Sequence, residues 1–399
     1  MAALDTVAAF MTAEGPAQLL PGVAMIAADA KGNMRYSKSF GSSDKGPVTI
    51  DTPMWIASCT KLITTIAFLQ CVEKGLVNLD DTVEKILPEL AEPDILHGFD
   101  EATGAPLLKK AKNKITFHHL ATHSSGLGYD VFDPRLLKWR QATKTSDTGT
   151  IGDITKMAFP LLFEPGEAWV YGVSIDWLGK AVERLNGNTR LGAYFKEHIF
   201  EPLGMHHTTF RPEEDAYFRD NLPTEVIRDQ AGELTPRKEP FLRRDQPDDT
   251  GGNGLFSTAS DYIKVLISIL KNDGKLLKQQ TVDTMFEPHL SAPEGLAAAM
   301  KVDRHYTRGI TNGLSADTKW DWGLGGILAM EETPNRRSKG TLAWAGLPNL
   351  CWWVDRERGT CGISAMQLSQ PPFDQLALAL FGQFETLAWQ GFAEQPSRI

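Results

Sequence analysis

The chain lacks the features expected of a membrane-spanning, nucleic-acid-binding or disulfide-stabilised protein. Its 399 residues contain no apolar run near the roughly 20 residues that a bilayer-spanning helix needs, which argues against a membrane span. Acidic residues outnumber basic ones, 50 to 41, and the formal charge of −9 argues against nucleic-acid binding, because phosphate contacts need a basic surface. With no C-x-x-C pair, we expect buried free thiols at the four cysteines, Cys59, Cys71, Cys351 and Cys361.

The start of the chain also lacks a secretory signal. Its first five residues include neither a basic region nor a continuous apolar run, and the first ionisable side chain is the acidic Asp5. We therefore expect a cytoplasmic protein. One basic run, Lys109 to Lys114, stands out against the acidic composition, and it is interpreted as a solvated loop, with a docking patch for an acidic partner as the alternative.

The apolar pattern predicts two lobes, one of them built from both ends of the chain. A length of 399 residues exceeds the usual size of a single hydrophobic core. Apolar or β-branched runs near both termini predict one antiparallel sheet, closed by a C-terminal helix. The predicted strands are 22–28, 34–40, 341–344, 350–354 and 362–367, and the closing helix is 373–389.

The middle of the chain is richer in helical patterns. The helix after Ser58 and the stretches 115–122, 175–185, 191–198 and 260–271 have apolar residues at helical spacing. We therefore predict an α+β fold with two domains. A discontinuous sheet domain comprises residues 1–85 and 245–399, and a mainly helical domain comprises residues 86–244.

The most informative stretch is Ser58-Cys59-Thr60-Lys61, where an irregular segment turns into an apolar helix. If the helix begins near Ser58, the hydroxyl and the amine lie one turn apart, at the end where free backbone N–H groups and the positive dipole pole gather. Apolar neighbours predict low-dielectric surroundings, which favour a neutral, proton-accepting amine. The spacing alone is weak, because Ser42 and Lys45 repeat it in a polar turn.

Two further elements gain weight only together with Ser58. Tyr171 lies in a turn before a helix predicted to start near Ser174, and taken alone it is best interpreted as a packing residue. The run from Trp344 to Asn349 is a predicted strand ending in glycine and proline, where a backbone N–H is able to face a carbonyl oxygen.

Other catalytic signatures are missing from the sequence. There is no G-x-S-x-G elbow, P-loop or dinucleotide fingerprint, which disfavours an α/β-hydrolase, a nucleoside triphosphatase and a nicotinamide enzyme. His119 and His123 have helical i, i+4 spacing but lack the glutamate of H-E-x-x-H, so we expect no metal site there. The serine chemistry requires no cofactor.

Taken in this order, the elements resemble the serine β-lactamase and penicillin-binding-protein superfamily. Within it, the chain is similar to class C-like (family VIII) esterases and to fungal acyltransferases of statin biosynthesis. The resemblance implies a β-lactamase/transpeptidase-like fold, with an antiparallel sheet flanked by helices, a mainly helical lobe, and the active site between them. Besides the catalytic residues it is carried by Leu79–Asp81, Leu120–Leu127, Phe163–Gly166, Ile175–Lys180, Pro202–Met205, Gly251–Thr258 and Gly323–Ile327.

The same resemblance implies a role for each site residue. Ser58 attacks the acyl carbonyl, Lys61 accepts its proton, and Tyr171 passes a proton to the leaving group and from the second acceptor. The backbone N–H groups of Ser58 and Leu347 form the oxyanion hole, in which one donor is worth about 3–4 kcal/mol. The substrate site is expected to be lined by Tyr129, Trp344 and Gly346.

The expected substrate class follows from two positions at which the sequence departs from the β-lactamase motifs. Tyr-x-Asn is replaced by Tyr171-Gly172-Val173, and Lys-Thr-Gly by Trp344-Ala345-Gly346. The missing lysine removes the cation that engages a β-lactam or peptide carboxylate, whereas Trp344 offers an apolar plane, so an uncharged ester or thioester is expected.

We therefore predict a serine acyltransferase. It would move a short acyl group from a thioester or ester donor to an alcohol of a small secondary-metabolite acceptor. An acyl-carrier domain of a polyketide synthase is a candidate partner that would deliver the donor. The alternatives are a carboxylesterase or thioesterase and, with less support, a catalytically inactive binding protein.

Overall fold

A computed structural model of the chain describes residues 1–145, 152–302, 304–315, 317–369 and 373–391. Within these ranges short 3₁₀ turns cover Ala57–Cys59, Val83–Lys85, Pro88–Leu90, Ile154–Met157 and Pro212–Glu214, and Lys196–Phe200 is a π-turn. The α-helices are α1 (Ala2–Met11), α2 (Thr60–Glu73), α3 (Phe117–Ala121), α4 (Pro134–Thr143), α5 (Ser174–Leu185), α6 (Leu191–Phe195), α7 (Glu201–Leu203), α8 (Ala216–Asn221), α9 (Ala259–Lys271), α10 (Gln279–Met285), α11 (Pro293–Val302), α12 (Arg304–Ile310) and α13 (Gln375–Trp389).

The strands of the described ranges form one large sheet and several two-stranded ribbons. They are β1 (Val23–Asp29), β2 (Met34–Phe40), β3 (Ser42–Ser43), β4 (Gly46–Pro47), β5 (Met54–Trp55), β6 (Asp94–Phe99), β7 (Pro106–Lys110), β8 (Val226–Arg228), β9 (Leu234–Pro236), β10 (Phe256–Ser257), β11 (Trp320–Trp322), β12 (Ile327–Ala329), β13 (Leu342–Gly346), β14 (Leu350–Asp355) and β15 (Thr360–Ala365).

Both ends of the chain build the large sheet. Its strand order is β11-β12-β13-β14-β15-β1-β2, and the neighbouring strands run antiparallel. The junction lies between β1 and β15, where Ala24 faces Ala365 and Ile26 faces Ile363. These residues are buried, which fixes the register because a slip by one residue would turn each side chain to the other face. The predicted α+β architecture, with a sheet built from both termini, is confirmed.

Helices α9 and α13 both pack on this sheet. The rings of Phe381 and Phe384 in α13 lie 5.6 and 5.3 Å from that of Trp353 in β14. Helix α9 packs against β1, β14 and β15, and its Tyr262 hydroxyl donates a hydrogen bond of 2.8 Å to the carbonyl of Cys59. Helix α9 therefore ties the sheet directly to the turn that carries Ser58.

Helix α2 is buried on every side. All residues from Thr60 to Cys71 are buried, and α2 packs against α5. A helix that is buried on every side belongs in the interior of a large protein, and Lys61 is the one charged residue among the buried positions of α2.

The polar stretch from Pro212 to Pro247 contains α8, β8 and β9 and packs beside the Ser58 turn. The ring of Phe241 stacks on that of Trp55, with centroids 5.6 Å apart. This small apolar cluster comprises Trp55, Ala57, Phe218, Leu222, Leu242 and Phe256. This stretch has no strong hydrophobic period, because a few apolar side chains anchor it rather than an amphipathic face.

Among the helices described, none has both the length and the apolar character of a membrane span. Helices α3 to α8 fall between residues 86 and 244, where the sequence predicted the helical domain. The domain boundaries themselves, 1–85 with 245–399 and 86–244, stay a prediction.

Candidate active site

Ser58 lies on a strained turn between β5 and α2. Ala57, directly before it, has a φ of +45°, a left-handed conformation that costs a non-glycine residue of order 1–3 kcal/mol. The turn is fixed on both sides: the backbone of Trp55 exchanges two hydrogen bonds with the Gln367 amide, and Ile56 N–H donates to the carbonyl of Leu255. Ser58 is partly exposed, although its neighbours are buried.

Lys61 follows one helical turn later and is only 1% exposed. Its Nζ lies 3.4 Å from Ser58 Oγ, 3.0 Å from the Tyr129 hydroxyl and 2.7 Å from the carbonyl oxygen of Gly252. A carbonyl oxygen can only accept, so one N–H of the amine must point at Gly252. In a neutral amine, the lone pair then remains for the hydroxyl side of the site.

Tyr171 lies over the same amine. Lys61 Nζ is 4.6 Å from the centroid of the Tyr171 ring and 5.4 Å from that of Tyr129, and the two rings meet edge to face with centroids 5.4 Å apart. The phenol oxygen of Tyr171 accepts a hydrogen bond of 3.3 Å from Nε1 of Trp344. The structure thus brings together Ser58, Lys61, Tyr171, Tyr129 and Trp344, which sequence reasoning placed in one site.

Trp344 is 1% exposed, so most of its ring contacts protein rather than an open cleft. Its ring centroid lies 5.2 Å from that of Tyr171 and 4.8 Å from that of Trp322. Where the β-lactamase pattern has lysine, this chain therefore has an indole that holds the phenol. Its direct contact with substrate stays a prediction.

His123 completes the aromatic surroundings of Tyr171. It is fully buried, has a left-handed φ of +57°, and its ring lies 4.9 Å from that of Tyr171, between centroids. Burial holds the pKa of His123 well below its usual range, with a smaller contribution from Lys61, so the imidazole is neutral. Trp169 and Trp322 pack on its other sides. Sequence reasoning rejected this residue as a metal ligand and placed it in the stretch 120–127 that carries the resemblance, but assigned it no role in the site.

The end of β13 lies directly against the Ser58 turn. A Cβ at Gly346 would come within 2.4 Å of the carbonyl oxygen of Ile56 and 3.2 Å of Cys59 Sγ, so this approach requires glycine. Leu347, the next residue, is partly buried and packs on the apolar cluster around Trp55. The oxyanion hole formed by the N–H groups of Ser58 and Leu347 stays a prediction.

Two residues that hold the peptide group between Gly251 and Gly252 were missed by sequence reasoning. Asp176 Oδ1 accepts a hydrogen bond of 2.8 Å from Gly252 N–H, and Thr64 Oγ donates one of 2.7 Å to the carbonyl of Gly251. Asp176 and Gly252 lie in the stretches 175–180 and 251–258, which carried the family resemblance, and that resemblance was the signal in the sequence that could have pointed to them. Their contact depends on the packing of α5 against α2, which no local pattern encodes.

Burial sets the ionisation of the groups around the site. It raises the pKa of the Cys59 thiol well above its usual range, so the sulfur beside Ser58 is neutral, as predicted for a thiol that faces the core. Burial also raises the pKa of Asp176, and the positive charge of Lys61 opposes that shift.

The chain matches the family model described as Beta-lactamase over residues 5–382, and it therefore belongs to this family. Together with its relatives, the match makes it an acyltransferase or esterase of the β-lactamase-like superfamily.

Its relatives include both transferases and hydrolases. The chain is 37% identical to monacolin J acid methylbutanoyltransferase of Aspergillus terreus over 379 residues, covering 92% of this chain and 91% of that protein. It is 36% identical to lovastatin esterase of Penicillium rubens, covering 88% and 89%. Unliganded simvastatin synthase (LovD) of Aspergillus terreus superposes with a TM-score of 0.89 at 35% identity, covering 99% of both chains. The predicted β-lactamase/transpeptidase-like fold is confirmed.

Proposed function

We propose that the chain is a serine acyltransferase that moves a short acyl group from a thioester or ester to the hydroxyl of a small secondary-metabolite acceptor, through an acyl-enzyme on Ser58. One observation carries this proposal: a buried amine, Lys61 Nζ, lies 3.4 Å from the oxygen of a partly exposed serine. A partly exposed serine beside a buried amine is the arrangement that a serine nucleophile with a lysine base requires.

The proposed reaction has two balanced halves. In the first, Ser58 Oγ bonds to the acyl carbon, its proton passes to Lys61, and the thiol or alcohol of the donor leaves after receiving a proton through Tyr171. In the second, the acceptor oxygen bonds to the same carbon, its proton returns through Tyr171, and Ser58 leaves as a hydroxyl. The N–H groups of Ser58 and Leu347 would stabilise the oxyanion in both halves.

The two phenols are proposed to have different roles. Tyr129 hydrogen-bonds to Lys61 at 3.0 Å, whereas Tyr171 is held by Trp344 with its ring over the amine. The family resemblance supports proton transfer by Tyr171, and the hydrogen bond to Lys61 supports a role for Tyr129 in holding the base. Loss of general acid–base catalysis typically costs 10²–10⁴-fold, so Tyr171→Phe should lose at least about 10²-fold in kcat and Tyr129→Phe much less. If steady-state kinetics show a larger loss of kcat in Tyr129→Phe than in Tyr171→Phe, the two roles must be exchanged.

The pair of lysines in the two S-x-x-K stretches offers a matched control. Lys61→Ala should abolish labelling of Ser58 by an active-site acylating probe, because the base is lost. Lys45→Ala, at the same spacing from Ser42 in an exposed turn, should label at the native rate. Native labelling of the Lys61 variant would contradict the proposed base, and no labelling of the native protein would favour a binding role.

Transfer is tested by products. The name of the Aspergillus terreus relative makes a methylbutanoyl thioester and monacolin J acid the first donor and acceptor to try. Purified protein incubated with both, and with a panel of other acyl thioesters and alcohols, should yield the transferred ester by mass spectrometry. If only free acid appears with every acceptor, hydrolysis is the function, which the 36% identity to an esterase already makes the second candidate.

We also propose that the donor arrives on an acyl-carrier domain of a polyketide synthase in the cytoplasm. Thioester chemistry and the similarity to a transferase of a small-molecule pathway support the carrier, and four unpaired cysteines fit a reducing compartment. Two of the four lysines in the 109–114 run pair with acids, Lys110 with Asp94 and Lys114 with Glu84, so half of the charge of this run is already paired on the surface. A carrier-bound acyl group should react with a higher kcat/KM than the same acyl group on a short thiol. Equal values would contradict the proposal that a carrier domain delivers the donor.

A further inference from the structure

Asp176 is a buried carboxylate that the proposed reaction does not use. It lies in the first turn of α5 and is 1% exposed, and its Oδ2 has no hydrogen-bond partner among the described residues. An ionised carboxylate in such a place is costly unless a positive charge or a ring of donors compensates for it. A buried acid with one unpartnered oxygen therefore calls for an explanation.

The contacts of Asp176 lead to Lys61 in two steps. Asp176 Oδ1 accepts the N–H of Gly252 at 2.8 Å, and the carbonyl oxygen of the same glycine accepts an N–H of Lys61 at 2.7 Å. No side chain intervenes, because a Cβ at Gly252 would lie 2.3 Å from Asp176 Oδ2. The carboxylate thereby fixes the backbone residue that orients the amine.

Helix α2 holds the same backbone from the other side. Thr64, one turn after Lys61, donates from Oγ to the carbonyl of Gly251 at 2.7 Å. The peptide group between Gly251 and Gly252 is thus bonded at its oxygen by α2 and at its N–H by α5. The two packed helices set the position of the Lys61 acceptor together.

Of the ionisable groups on described residues that face Lys61, Asp176 is the one carboxylate. The others are Cys59 on the turn before α2, His123 and Tyr129 from the segment after α3, and Tyr171 before α5. The thiol and the two phenols are uncharged when protonated, and the buried imidazole is neutral, whereas Asp176 is able to carry a negative charge. When Lys61 takes the proton of Ser58, Asp176 is the buried group that can balance the new ammonium.

We propose that Asp176 is a positioning residue for Lys61: through Gly252 it directs the amine toward Ser58, and its carboxylate is the buried counter-charge of the ammonium formed during acylation. The proposal rests on the proposed role of Lys61 as the base. It assigns no contact between Asp176 and substrate, and it therefore predicts an effect on kcat without an equal effect on KM.

Three variants separate charge from position. Asp176→Asn keeps an oxygen for Gly252 N–H and removes the charge. Thr64→Val removes the other clamp of the same peptide and leaves the charge. Glu183→Gln is the matched control: it neutralises another buried carboxylate of α5, which binds Lys180 and the N–H of Leu191 away from the site.

The measurement is the pH dependence of kcat and kcat/KM for hydrolysis of a p-nitrophenyl ester, with circular dichroism as the check on folding. For Asp176→Asn we expect kcat to fall about tenfold with KM nearly unchanged. The acidic limb of kcat/KM should move to lower pH, because the variant removes the negative charge that favours protonation of the groups facing it. For Thr64→Val we expect a lower kcat with the limb in place, and for Glu183→Gln the native profile.

The outcomes distinguish this inference from the proposed function. If Lys61→Ala is inactive but Asp176→Asn keeps the native kcat and acidic limb, the base stands and the role of Asp176 is refuted. If Asp176→Asn does not fold, Thr64→Val decides the positioning claim, since a native kcat in that variant would overturn it. If Lys61→Ala retains activity, the proposed function itself fails.

Discussion

Replacement of Gly252 by alanine tests how tightly the Lys61 acceptor is placed. The added Cβ would lie 2.3 Å from Asp176 Oδ2 and 2.7 Å from its Cγ, where ordinary van der Waals contact begins at 3.4 Å. The backbone or the carboxylate must therefore move by about 1 Å. A shift of that size in the backbone would lengthen the 2.7 Å bond from Lys61 to the Gly252 carbonyl beyond hydrogen-bonding distance.

The expected cost follows from that displacement. A misplacement of about 1 Å near a reacting group costs on the order of 10²-fold, so kcat/KM of Gly252→Ala should fall by about that factor. The assay is ester hydrolysis under steady-state conditions, with thermal unfolding followed in parallel. Gly98→Ala is the control, because a Cβ there meets only Leu107 Cδ1, at 3.8 Å. A folded Gly252→Ala protein with kcat/KM within twofold of native would refute the reasoning.

Two further predictions concern the interior. Burial raises the pKa of Cys351 to about 12, and it raises the pKa of the other buried thiols too. Ellman's reagent at pH 8 should therefore find no reactive thiol in the native protein and four after unfolding. Rapid reaction of even one thiol in the native protein would contradict the packing. Glu385 is buried and accepts hydrogen bonds from the partly buried Arg336 and the buried Arg337. Glu385→Gln should therefore lower the free energy of unfolding in urea by about 3–5 kcal/mol, whereas Glu213→Gln in an exposed pair should change it little. Equal effects of the two substitutions would contradict this.

The elements predicted best from the sequence were those with a strong local pattern. Strand β2 has the predicted bounds, and α9 and α13 begin within two residues of the expected positions. The pairing of both termini followed from strands of similar texture at the two ends of the chain. The short strands β5 and β10 were not predicted, because two residues carry no readable period.

The site was predicted in part for a related reason. The S-x-x-K spacing and the helix after it are local, so Ser58 and Lys61 were within reach of sequence reasoning. Tyr171 and Trp344 needed the resemblance, because 173 residues separate the partners of their hydrogen bond. Asp176 and Gly252 meet where a helix contacts a loop. A single aspartate in an amphipathic helix gives no sign of such a contact in the sequence.

Trapping of the acyl-enzyme is the most direct measurement of the central claim. The native protein is mixed with an acyl thioester in the absence of acceptor, quenched in acid and mapped by peptide mass spectrometry. We predict the mass of one acyl group on the peptide that contains Ser58, its loss in Ser58→Ala, and its persistence in Ser42→Ala. An acyl group on any other residue, or native turnover by Ser58→Ala, would contradict it.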